Sequence, residues 1–274
     1  MDPFTIVGGR GFIGSALAAS LSAAGAPVRI ASHQDSLAGA PLGHVIYASG
    51  VAASAAADPA YAFAVHVEGA RRILAGGRFD SFLYLSSTRV YGAATETGEE
   101  AALRVMPAEP GNDVYRISKI AGEALCLAAP GAGVRVARLS NVSGESYRSP
   151  LFLSDVLRQA ARAGRAVVHT TRDSGKDYIT IGDVCRYLTG IALRGSARTY
   201  NVAAGANVAN GAIYDSLSTL GIDVVIAEDA KRAWTPPIDV TRLQAEFGPP
   251  REAVLATLPG LLQSFSAHVE PAAR

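Results

Sequence analysis

The stretch VGGRGFIG at 7–14 constrains this chain more than any other. It follows a β-branched and aromatic run, FTIVG at 4–8, and opens a segment of helical period near 12–24, so its glycines belong to a strand–turn–helix unit. In that setting Gly8, Gly11 and Gly14 permit a tight turn with close backbone approach, and the start of the helix offers N–H groups to an anion. A parallel sheet with helices between its strands is the architecture that such a unit seeds.

The chain beyond the turn keeps the alternation. Strand patterns recur in PVRIAS (27–32), HVIYAS (44–49), SFLYLS (81–86) and VRVARLS (134–140), with helical segments near 60–75 and 114–128. The segment at 33–43 is too short for a full helix and another strand, which predicts one shortened βα unit. The second half alternates less regularly, with apolar runs at 166–170, 178–181 and 198–203 and helical patterns near 151–163, 181–193, 210–220 and 252–267. The fold class expected is α/β with a doubly wound parallel sheet.

Composition narrows the partner. A net charge of +1 with 18% charged residues argues against a nucleic-acid surface and points to a small molecule. Cys126 and Cys185 lack CxxC or metal-ligand spacing, so they read as buried free thiols of a reducing compartment, with no metal site. The chain enters a strand pattern with no basic leader, and its apolar stretches are interrupted by Ser, Gly or charge. A cytoplasmic protein with no membrane partner is expected.

Ser32 and His33 stand at the end of the second strand, where an acidic side chain would accept hydrogen bonds from the ribose 2′-hydroxyl of NAD. An acid would repel the 2′-phosphate of NADP, whereas a hydroxyl, an imidazole and a guanidinium can donate to it. Arg10, inside the glycine turn, would supply the guanidinium. The cofactor expected is therefore NADP(H), with NAD(H) the alternative if Arg10 is only a solvated charge.

Tyr115 and Lys119 lie four residues apart in DVYRISKIAGEALC (113–126), on one face of a helix capped by Asn112 or Asp113. A phenol is a poor acid–base catalyst at neutral pH, and a neighbouring ammonium favours its phenolate. Upstream, YLSSTRVYG (84–92) ends a strand in hydroxyls at the edge of the sheet where ligands bind in such folds.

With these motifs the chain resembles the extended short-chain dehydrogenase/reductases, the NAD-dependent epimerase/dehydratase family. The resemblance runs nearly end to end through GGRGFIG, VIYASG, DPAYAFAVHVEGARRIL (58–74), SSTRVYG, YRISKIAGE, RLSNVSG (138–144), KDYITIGDV (176–184) and YNVAAG (200–205). It implies that Tyr115 moves the proton, that Lys119 binds the nicotinamide ribose and depresses the tyrosine pKa, and that Ser87 holds the substrate oxygen, with Thr88 as its substitute one register on. It further implies that Gly8, Gly11, Phe12 and Ile13 form the pyrophosphate turn and that Ala48, Ser49 and Gly50 pack along the cofactor. Asn141, Lys176 and Tyr178 would meet a sugar or its nucleotide diphosphate. His66 replaces the family's asparagine and reads as a core or surface histidine; Lys176 replaces an arginine and Ser143 a tyrosine. Thr88 and Arg89 occupy the places of the acidic pair used by 4,6-dehydratases, which argues against dehydration.

The resemblance implies a Rossmann domain at 1–143 plus about 177–204 and a small discontinuous α/β substrate lobe at about 144–176 and 205–274, with a cleft between them. The function expected is NADP-dependent hydride transfer to a keto group of a nucleotide-linked 4-keto-6-deoxysugar. The alternatives are a nucleotide-sugar 4-epimerase with bound NAD and a non-catalytic dinucleotide sensor. A homodimer packed through the helices near 60–75 and 114–128 is the expected assembly.

Overall fold

Phe4–Val7 (β1) is buried at every residue and runs into the glycine turn, after which Phe12–Ala23 forms α1. Val28–Ala31 (β2) and Pro41–Tyr47 (β3) pair parallel with β1, one on each side. Only turns join β2 to β3, as the short 33–43 segment predicts, so β2 becomes the edge of the sheet. Its residues show this, since Arg29 and Ile30 are exposed. The computed structural model describes residues 2–51, 58–92, 94–106, 113–131 and 133–268.

The helix expected near 60–75 is built in three pieces: Pro59–Phe63 (α2), a π-helical turn at Ala64–Glu68, and Gly69–Gly76 (α3). Asp58 caps its start by accepting the Tyr61 N–H at 3.0 Å, and Pro59 fits the first turn, where an N–H would have no partner in the helix. The wider π turn displaces backbone groups from the regular ladder, and the Tyr47 hydroxyl donates to one of them, the Val65 carbonyl, at 2.5 Å.

Arg78–Ser87 (β4) leads through a short 3₁₀ turn, Thr88–Tyr91, toward Asp113–Ala128 (α4) and Val134–Leu139 (β5). The proposed cap Asn112 lies outside the described residues, as does the side chain of Asp113. With Thr199–Val202 (β9) added, the sheet has six parallel strands in the order β2-β1-β3-β4-β5-β9. Tyr47, Phe82 and Tyr84 stack across β3 and β4, with ring centroids 6.0 and 5.9 Å apart, and anchor the core on one face.

The chain divides into two units. The first comprises Met1–Ser140, Val184–Val202 and Asp239–Gly248, and so includes most of Ile181–Arg194 (α6) and all of Thr241–Phe247 (α8). The second comprises Asn141–Asp183, Ala203–Ile238 and Pro249–Arg274. It holds a three-stranded sheet, in which Gly175–Thr180 (β8) lies between Asn141–Ser143 (β6) and Asn207–Ala209 (β10). It also holds a parallel pair, Arg165–Thr170 (β7) with Asp223–Lys231 (β11). Phe152–Ala163 (α5), Asn210–Thr219 (α7) and Val254–His268 (α9) close over them on a core that includes Leu157, Leu217 and Phe265. Among the described residues no helix is long and apolar enough to cross a membrane.

Candidate active site

Four parallel strands, β1 to β4, deliver their C-terminal ends to one edge of the first unit, and the predicted cofactor and catalytic residues of that unit stand there. Gly8 has φ +89°, and a Cβ on it would lie 2.6 Å from the Ser49 nitrogen, so the position requires glycine. The Gly8 N–H donates to Ala31 at 2.7 Å, and the Gly11 N–H donates back to Gly8 at 3.0 Å, which closes the turn. Helix α1 then starts at Phe12 and Ile13 with no side-chain cap, leaving first-turn N–H groups and the positive end of the helix dipole toward the turn. That donor set fits the pyrophosphate of a dinucleotide.

Beside the turn is a cavity of about 250 Å³ lined in part by Gly8, Arg10, Ser32, His33, Asp35 and Ser49. Arg10 is exposed. Burial holds the His33 imidazole below its ordinary pKa, helped by the nearby Arg72 charge and opposed by Asp35, and its ring meets Tyr61 edge-on at 6.2 Å. The structure brings in a carboxylate that the strand-end reading did not anticipate. Asp35 turns back so that Oδ2 accepts the Ser32 N–H at 2.8 Å, while Ser32 Oγ accepts the Gln34 N–H at 3.3 Å. The end of β2 is therefore not free of acid, although the acid arrives three residues later and is tied to backbone.

Ser87 closes β4 and caps the 3₁₀ turn by accepting the Arg89 N–H at 3.2 Å. Its hydroxyl also hydrogen-bonds the phenol of Tyr115, while Thr88 lies one step on, in the turn itself. Burial raises the Tyr115 pKa, and the Ser87 hydrogen bond and the Arg89 charge pull it back down. Lys119, one helical turn along α4, donates to the Leu85 carbonyl at 2.8 Å and sits 5.1 Å from the Tyr84 ring centroid. Burial lowers its pKa to about 7 against the opposing pull of Glu123 and Cys126.

The loop after β3 packs onto this cluster. Ala48 donates to Val7 at 2.8 Å, Ser49 is buried, and a Cβ on Gly50 would come within 3.4 Å of Lys119 Nζ and 3.5 Å of His66 Nε2. His66, expected in the core or at the surface, lies in the core. It is fully buried, and its ring meets Tyr115 edge-on at 5.6 Å and 84°. Burial, with the Lys119 charge beside it, lowers its pKa to about 3, so it is neutral at pH 7.

Behind α4 runs a polar network that local sequence patterns do not announce. Glu123 and Arg138 form a buried ion pair at 2.7 Å, and Ser86 also donates to Glu123. Arg138 donates to the Tyr91 hydroxyl at 2.9 Å, and Tyr91 donates to Asn201 at 2.8 Å. Ser86 and Arg138 face each other across β4 and β5, so the network fixes α4 to the strands whose ends carry the site.

Of the predicted substrate residues, Ser87 and Thr88 stand in the first unit, and Asn141, Lys176 and Tyr178 lie together in the second. Asn141 donates its amide to the Asp177 carbonyl at 2.8 Å and so helps join β6 to β8. The Lys176 ammonium is 5.5 Å from the ring centroids of both Phe152 and Tyr178. Tyr178 is 3% exposed in the core, and its hydroxyl is sealed in without a hydrogen bond, so it presents no donor at the surface. Among the described residues no cluster of His, Cys, Asp or Glu could hold a metal ion.

The model of the NAD dependent epimerase/dehydratase family matches residues 4–203. Comparison with curated protein sequences finds no match. Among solved structures, RMD from Pseudomonas aeruginosa complexed with NADPH is similar at a TM-score of 0.77 with 24% identity, over 98% of this chain and 100% of that one. UDP-glucuronic acid 4-epimerase from Bacillus cereus, in complex with UDP-glucuronic acid and NAD, is similar at 0.78 with 14% identity, over 97% and 100%. The dTDP-glucose 4,6-dehydratase of Bacillus anthracis with NAD is similar at 0.74 with 17% identity, over 97% of both chains. Likeness at these identities shows a shared Rossmann fold, while the family match spans most of the chain and every strand of the six-stranded sheet. This chain belongs to the NAD dependent epimerase/dehydratase family and is an enzyme of it.

Proposed function

We propose that the protein is an NADP-dependent oxidoreductase that delivers a hydride to the keto group of a nucleotide-linked 4-keto-6-deoxysugar. The observation that carries the reading is the meeting of Arg10, Ser32 and His33 in one cavity at the glycine turn, a donor set suited to a 2′-phosphate. The similarity to RMD complexed with NADPH supports it. A reductase renews its cofactor at each turnover from the reduced NADP pool, whereas an epimerase returns the hydride and keeps its cofactor.

The cofactor supplies the hydride when bound. Ser87 holds the carbonyl oxygen, and Tyr115 Oη, within reach of Ser87, gives that oxygen its proton. Lys119 binds the nicotinamide ribose, and Arg89 and Ser87 favour the tyrosinate that remains. Asn141 and Lys176 stay candidates for the nucleotide-sugar side, Lys176 as a point charge for a phosphate, whereas Tyr178 is sealed in the core.

Asp35 favours a second reading. A carboxylate in the adenosine cavity accepts hydrogen bonds from a ribose 2′-hydroxyl, and the similarity to UDP-glucuronic acid 4-epimerase with NAD points the same way, toward a 4-epimerase with retained NAD. The two separate on purified protein. Catalytic consumption of free NADPH with a keto-sugar nucleotide supports the reductase, whereas tightly retained oxidised NAD and sugar interconversion without net cofactor use support the epimerase.

A further inference from the structure

His66 sits in the middle of the π-helical turn, and its hydrogen bonds have a fixed direction. The Val51 N–H lies 3.1 Å from Nε2, and a backbone N–H can only donate, so Nε2 carries no proton. The neutral imidazole must then bear its proton on Nδ1, which lies 2.8 Å from Ser118 Oγ. Ser118 in turn donates to the Tyr115 carbonyl at 3.0 Å. One relay therefore runs from the loop after β3, through the imidazole, to the backbone of the residue that carries the phenol, and every donor in it has one acceptor.

The surroundings hold the ring in place. The π turn widens the helix at this residue, Gly122 of α4 has no Cβ to collide with the His66 carbonyl, and Tyr47 satisfies the neighbouring Val65 carbonyl. His66 Nε2 and Lys119 Nζ both lie against Gly50, and the imidazole makes a T-shaped contact with the Tyr115 ring at 5.6 Å. A group placed in this way sets the distance between the 48–51 loop, Lys119 and the phenol.

We propose that His66 is a positioning residue, a neutral imidazole locked with its proton on Nδ1 that keeps Tyr115 in register with the cofactor-side loop. This rests on the role proposed above for Tyr115. Misplacement of a reacting group by about 1 Å can cost roughly 10²-fold in rate, so the relay has a kinetic signature that filling of a core does not.

The test uses the whole protein and three variants: His66→Phe, which keeps a buried ring, Ser118→Ala, which cuts the relay, and the double variant. For the wild type, NMR of labelled imidazole nitrogens should give a signal, lost in His66→Phe, with Nδ1 protonated and Nε2 bare from pH 8 down to pH 5. A proton on Nε2, or titration with a midpoint above pH 6, would overturn the proposal. On a keto-sugar nucleotide that the wild type accepts, kcat should fall roughly 10- to 100-fold in His66→Phe and about tenfold in Ser118→Ala, with KM changed less than about threefold. The double variant should be within about twofold of His66→Phe, because both changes cut one chain. Wild-type kcat in folded variants whose only change is a lower Tm, or losses that multiply in the double variant, would overturn the relay. If the wild type turns over no such substrate, the functional reading fails, and the nitrogen spectra still decide on the relay.

Discussion

The adenosine end of the site and the tyrosine end treat charge in opposite ways. At the glycine turn Arg10 is exposed and Asp35 accepts a backbone N–H, beside a cavity of about 250 Å³. Around Tyr115 the exposures of Lys119, Glu123 and Arg138 are 5%, 2% and 4%, and each has a partner within 2.8 Å. Recognition of a ligand's charge needs groups that remain available until the ligand arrives, and salt screens them. Proton transfer needs groups whose geometry is already set, and in a buried cluster the loss of one partner strands another in low dielectric. Substitutions at the first end should therefore change selectivity, and those at the second should change turnover or stability.

Tyr115→Phe breaks or sharpens this contrast most. The ring and helix remain, so NADPH affinity should change by less than about tenfold. Turnover should fall by about 10² to 10⁴, the usual contribution of a positioned acid–base group. Steady-state rates with NADPH titrations check this, and retention of more than about a tenth of wild-type turnover removes Tyr115 from the mechanism.

The next effect is on stability. Glu123→Ala leaves the Arg138 guanidinium buried beside Tyr91 with its carboxylate gone, and should cost about 3–5 kcal/mol in urea unfolding. A loss under about 1 kcal/mol, the size of an exposed pair, would erase the distinction between the two ends. Arg10→Ala should be milder, with NADPH bound about tenfold more weakly, NADH unchanged, and the wild-type preference shrinking as salt rises. Equal loss of both cofactors would show that Arg10 does not read the 2′-phosphate.

A pH dependence completes the contrast. Lys119 has a folded pKa of about 7 against an ordinary 10.5, so between those values the unfolded chain binds a proton that the folded one has released. Wild-type stability therefore gains from this group as pH rises from 7 toward 10. Lys119→Met lacks the proton, so the Tm difference between wild type and variant, measured without cofactor, should move in favour of wild type across that window. A flat difference would mean that the ammonium is not penalised by its burial.

What the sequence discloses follows from the range of the interactions. The glycine turn and the Tyr115–Lys119 spacing are local, so both were legible, as was the shortened βα unit at 33–43, where only turns join β2 to β3. Asp35 was missed because its carboxylate reaches the end of β2 by folding back across a turn, which strand patterning does not describe. The sequence alone leaves His66 between core and surface, because a π turn adds one residue to a helical turn and so rotates the face that a 3.6-residue period assigns, and its full burial places it in the core. The Glu123–Arg138 pair joins a helix to a strand across 15 residues, and nothing in either segment alone names its partner. In the second unit β11 carries acidic residues through a half-exposed strand and β6 and β10 have three residues each, so their patterns were too short or too mixed to stand out.

The most direct test of the account is to follow the hydride. NADPH carrying deuterium at the transferable position of nicotinamide C4 is mixed with a nucleotide-linked 4-keto-6-deoxysugar and the wild-type enzyme, and the product is read by mass and NMR. The account predicts one deuterium at sugar C4 for each NADPH oxidised. A sugar product that forms without deuterium, while the NADPH stays reduced, would contradict it.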